Sequence, residues 1–114
     1  MSTATLPELA VQRELDRLGI DYEFQSEFFG GRMQKGGAVA DFYIPSRGIV
    51  ISVIGIYWHT DPTRRAQDAI QRLSLIAQGI TTIYITDEQI KRNVRHYVEE
   101  ALMGNDLSGW GNLL

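Results

Sequence analysis

The sequence predicts an α/β domain with the element order α-β-β-β-α-β-α, and three observations carry that prediction. The apolar run Ile49 to Tyr57 has the composition of a central strand covered on both faces. A segment with helical spacing and then a second β-rich run, Ile80 to Ile85, follow it, and a helical crossover of this kind makes the two strands parallel neighbours. Ahead of it, two runs separated by a glycine-hinged loop read as a hairpin. The four strands together form a mixed sheet flanked by helices.

The first helix is expected over residues 7 to 18, with Pro7 in its first turn, Val11, Leu15 and Leu18 forming its apolar stripe and Gly19 ending it. At about 100° per residue, Glu14 lies about 60° from Val11, so its carboxylate borders the buried face. The hairpin strands are Tyr22 to Phe28 and Ala38 to Ile44, joined by Gly30-Gly31-Arg32-Met33-Gln34-Lys35-Gly36-Gly37. The turn Pro45-Ser46-Arg47-Gly48 leads into the central strand, which Gly55 interrupts as a bend or bulge. Asp61-Pro62 is an N-cap and first-turn pair, opening a helix in which Ala66, Ile70, Leu73 and Ala77 recur at helical spacing before Gly79. Beyond Thr86-Asp87 the last helix carries Ile90, Val94, Tyr97, Val98 and Ala101 on one face and stops near Gly104. Residues 1–104 thus form one domain, and residues 105–114 a tail whose Trp110, Leu113 and Leu114 need a partner surface.

A chain of 114 residues that is 44% hydrophobic holds one core and has little length to spare, so a functional site must be built from the elements that make that core. The absence of cysteine excludes disulfides, thiolate zinc sites and cysteine nucleophiles, and leaves oxygen or imidazole to hold any metal. No segment approaches a membrane span or a secretory leader, which predicts a soluble, cytoplasmic protein with no membrane partner. A net charge of −3 argues against non-specific DNA binding through the whole surface, though basic residues cluster locally.

Two residues stand out chemically. Asp41 interrupts an otherwise apolar strand, where a carboxylate is costly unless it is paired, metal-bound or at a solvated strand end. His59 follows Tyr57-Trp58 where the central strand ends, a place where α/β sites gather, although a lone histidine is more often structural or simply exposed. His96, in the middle of the last helix, has no such context. Asp41, His59 and Glu14 come from adjoining elements and together offer carboxylate oxygens for Mg²⁺ with an imidazole beside them, a set suited to phosphodiester hydrolysis. Arg32 and Lys35 in the glycine-hinged loop, and Arg64 and Arg65 at a helix start, are placed to contact DNA phosphates, or equally to cover a solvated loop and helix face. Trp58 is suited to stacking on a base or to packing at the strand end.

The run Gly37-Ala38-Val39-Ala40-Asp41-Phe42-Tyr43-Ile44-Pro45, then Ile49-Val50-Ile51-Ser52-Val53-Ile54-Gly55-Ile56-Tyr57-Trp58-His59, then Arg65, Asp68, Arg72, Leu73 and Gly79, resembles the very-short-patch repair endonucleases of the PD-(D/E)XK nuclease superfamily. The resemblance covers about residues 8 to 90 and implies a restriction-endonuclease-like core. It further implies that Asp41 binds Mg²⁺, that His59 acts in catalysis, that Glu14 assists, and that Val53 offers a backbone carbonyl as a second metal ligand. The departures are as specific. The wider superfamily places an acid and a lysine where this chain has Ser52 and Ile54, and the repair branch holds a structural zinc that a chain without cysteine is not expected to bind. Mismatch specificity does not carry over.

Three functional readings follow. The preferred one is a Mg²⁺-dependent DNA endonuclease acting through Asp41, Glu14 and His59. The second is a catalytically degenerate nuclease fold used as a structural or assembly component, for example of a phage particle, which would place the chain in a virion and let the tail join copies of itself or other subunits. The third is a non-catalytic DNA-binding subunit.

Overall fold

The computed structural model describes residues 6–24, 39–55 and 61–110, with side chains from Phe42 onward in the second stretch. The elements are α1 (Leu6–Arg17), β1 (Glu23–Phe24), β2 (Val39–Ile44), β3 (Ile49–Ile54), α2 (Pro62–Ala77), β4 (Thr81–Thr86) and α3 (Asp87–Leu102), in the expected order. They form a mixed four-stranded sheet in the order β1-β2-β3-β4, antiparallel except for the parallel pair β3 and β4. The crossover through α2 therefore does what its length required, and the chain has an α/β core.

Local chemistry explains where the elements begin and turn. Gly48 adopts φ 63, a conformation that favours glycine, and its carbonyl accepts the N–H of Thr81 at 3.1 Å, which seats the start of β4 beside β3. Asp61 caps α2 by accepting from Thr63 N at 3.0 Å and Arg64 N at 3.2 Å, with Pro62 in the first helical position. Thr86 and Gln89 form a reciprocal capping box at α3. Asn93 leaves helical geometry inside α3 (φ −168°, ψ 81°) and its side chain accepts the N–H of His96 at 3.1 Å, so the helix breaks and is capped again.

The main core lies on one side of the sheet, where Val11 and Leu15 of α1 and Val98 and Ala101 of α3 pack on Phe42, Ile44, Ile51, Val53, Ile83 and Ile85. α2 covers the other side. There Leu75 meets Val50 and Ile80, while Ile54 and Tyr84 pack with Trp110. The tail thus finds its partner surface at Trp110 within the chain, and Asp106 accepts the outward N–H of Tyr84 at 2.9 Å, which blunts the open edge of β4.

One feature of α2 differs from what its sequence suggests. The apolar stripe Ala66, Ile70, Leu73 and Ala77 that marks the helix points to solvent, and the residues turned to the sheet include Asp68 and Leu75. The inward face is polar because the sheet beneath it presents Ser52, Thr82 and the phenol of Tyr84 as partners. Among the described residues no helix is long and apolar enough to cross a membrane.

Candidate functional site

The register places Asp41 opposite Ser52, and Ser52 in turn beside Tyr84, so one row crosses β2, β3 and β4. The two described members of that row lie under α2. Tyr84 donates its hydroxyl to Asp68 in a short hydrogen bond, and the Arg72 guanidinium stands 5.2 Å from the centre of the Tyr84 ring. Ser52 is 1% and Asp68 4% exposed. A cavity of about 10 Å³ lies between α2 and the sheet, lined by Ser52, Asp68, Gln71, Arg72 and Thr82 among others, with room for at most about one water. Thr82 Oγ1 has no protein hydrogen-bond partner, so such a water would satisfy it. This polar interface was not assigned a role from the sequence. Asp68, Gln71, Arg72 and Leu75 do share the spacing of one helical face, and that was the available signal.

Glu14 lies on α1, on the other side of the sheet from Ser52, and its carboxylate is already engaged. Arg17 donates from Nε at 3.0 Å and from Nη2 to the same oxygen, and Arg95 of α3 brings its Nε to 3.8 Å. The Arg17 hydrogen bond, opposed by burial but reinforced by the charges of Arg17 and Arg95, holds the Glu14 carboxyl below its ordinary range. Stability from this cluster should be present above the ordinary glutamate pKa of 4.5 and lost as pH falls through the lowered folded value. Glu14→Gln is expected to be less stable than wild type at neutral pH, with the difference closing in acid. Urea unfolding at a series of pH values measures this, and a difference that stays constant into acid contradicts it.

The other expected site residues fall in varied places. Val53 is 5% exposed and stands in register with Ala40 and Ile85, so its side chain is in the main core and its backbone in the ladder of a central strand. Arg64 Nε pairs with Asp61 at 3.2 Å, which commits part of its charge to the helix cap, and Arg65 is half-buried with its Nε lacking a hydrogen-bond partner. The backbone of Asp41 is described in β2 but its side chain is not, and His59, Arg32, Lys35 and Trp58 lie outside the described residues. Among the described residues, no three histidine or acidic side chains converge as a metal-holding group. The chemistry of Glu14 itself, a carboxylate shared between two guanidiniums, does not fit a cation ligand.

No family model matches this chain, and neither a curated protein nor a solved structure matches it.

Proposed function

We propose that the chain is a nuclease-like α/β domain that works without catalysis, as a structural or assembly component. The observation that carries this reading is the state of Glu14. The described member of the candidate acid pair is held by Arg17 and Arg95, across the sheet from the Ser52 row in which Asp41 stands. Residues 52 and 54, where the resemblance would seat an acid and a lysine, are a serine 1% exposed and an isoleucine 0% exposed beneath α2 and the tail. A phage particle is one setting that fits a small domain of this kind.

Metal-dependent DNA cleavage through Asp41 and His59, with phosphates met by Arg32, Lys35, Arg64 and Arg65, is the second reading. The observation that favours it is the strand position of Asp41 next to central β3, where an acid has no reason of propensity to be. The purified protein, incubated with supercoiled and branched DNA in Mg²⁺ or Mn²⁺, separates the two. No cleavage is expected. Nicking that is abolished by both Asp41→Ala and His59→Ala would overturn the non-catalytic reading and establish the enzyme.

A further inference from the structure

α2 is held to the sheet differently from the other two helices. α1 and α3 drive apolar side chains into the main core, Val11 and Leu15 from the first and Ile90, Val98, Ala101 and Leu102 from the second. Of the 16 residues of α2 only Asp68 and Leu75 are buried, and its other large apolar side chains, Ile70, Leu73 and Ile76, face solvent. Leu75 is therefore the one buried apolar side chain that α2 sets against the sheet, in a small cluster with Val50 and Ile80 that is separate from the main core. Apolar burial is what docks most helices in water, and here there is little of it.

The rest of the contact is polar. The Tyr84 hydroxyl donates to Asp68, and the Arg72 guanidinium lies over the Tyr84 ring. Water can replace such bonds when the surfaces part, so they resist opening less than apolar burial does. The interface is also imperfectly closed: it holds the cavity of about 10 Å³, and Thr82 Oγ1, in a residue 4% exposed, has no hydrogen-bond partner. A buried hydroxyl in that state costs the closed arrangement free energy that opening relieves.

We infer that α2 is a lid, which lifts from the sheet while α1, α3 and the strands stay packed, and which uncovers a polar face made of Ser52, Thr82 and Tyr84. Both ends of the helix suit that motion. The Asp61 cap bonds only to Thr63 and Arg64 of the helix itself, so it travels with α2 and is not broken by opening. At the other end Gly79 adopts φ 82 with nothing within 4 Å of where a Cβ would stand, and the bond from Thr81 N–H to the Gly48 carbonyl anchors β4 just beyond it. The main chain can turn at Gly79 without disturbing the strand. Register carries the uncovered face from Ser52 on to Asp41. The inference rests on the packing of α2 alone and holds under either functional reading.

The chain has no cysteine, so one introduced thiol reports on one position. Ser52 and Val53 are successive residues of β3, both buried, with Ser52 beneath α2 and Val53 in the main core. Iodoacetamide should label the thiol of Ser52→Cys at least about tenfold faster than that of Val53→Cys in native buffer, after each rate is referred to that variant's own unfolding curve. In rising urea the rate at position 52 should climb with a shallow slope, because a local opening exposes little surface, while the rate at position 53 follows the full slope of global unfolding. Adding Asp68→Ala to Ser52→Cys should speed labelling at least about tenfold more, since it removes the acceptor that holds α2 to Tyr84. Amide hydrogen exchange of the unmodified chain needs no substitution: the amides from Ile70 to Leu75 should exchange through the same shallow-slope opening, and those of β3 only through global unfolding. Equal rates and slopes at positions 52 and 53, no effect of Asp68→Ala, or α2 amides protected as fully as those of β3, overturns the inference.

Discussion

Phe42→Ala is expected to lower the unfolding free energy by about 3–5 kcal/mol, the largest loss from any single truncation in this core. Phe42 is 0% exposed and sits in the main core among Val11, Leu15 and Ile51. Its ring meets Tyr22 edge-on at 5.7 Å between centroids and Phe24 at 4.8 Å. Alanine would remove that apolar burial and leave a cavity that α1 and β3 cannot close without shifting. It would also remove the aromatic contacts that hold β1, a strand of two residues, to β2. Against a typical total of about 5–15 kcal/mol for a small domain, the loss leaves little stability in reserve. Urea unfolding followed by circular dichroism measures it, and a change below about 1 kcal/mol would show that the ring is not in the packed core.

Asp68→Ala is expected to destabilise by about 2–3 kcal/mol, because it takes the acceptor from a buried phenol and leaves polar groups of the α2 interface without one of their partners. Tyr84→Phe probes the same contact from the other side and adds a pH signature. Burial, and then the charge and hydrogen bond of Asp68, push the Tyr84 phenol far above its ordinary value of 10.0, with Arg72 opposing. A group raised in the folded state contributes stability that is fully present below its unfolded pKa and lost as pH rises above it. Wild type should therefore weaken in alkali from about pH 10 upward, as the unfolded phenol ionises and the folded one does not. Tyr84→Phe should be the less stable protein at pH 7, and the gap should narrow above pH 10 because the variant has no phenol at this position to ionise. Denaturant titrations on both sides of that pH decide it, and a gap of constant size would show that Tyr84 is not held neutral by its surroundings.

The candidate site was less legible than the fold. Sequence spacing places Glu14 at the border of a buried face with Arg17, its main partner, three residues on, whereas Arg95 lies 81 residues away on another helix (95 − 14) and reaches it only through tertiary packing. Asp41 was legible as an acid out of place in a strand, and its register opposite Ser52 followed only once β2 and β3 were paired. The network joining Asp68, Arg72 and Tyr84 spans α2 and β4, so no short-range pattern contained it.

Local chemistry by itself determined the element order, the capping of α2 and α3, the Gly48 turn and the parallel pairing of β3 with β4 through the crossover. These depend on backbone propensity, hydrogen bonds between near neighbours and chain length, all of which act over a few residues. The facing of α2 was decided by the tertiary structure alone. Hydrophobic periodicity says that a helix has two faces, but which one lies on the sheet depends on what the sheet offers, and here a phenol 16 residues along the chain makes the burial of a carboxylate tolerable. The apolar stripe was left outside as a consequence.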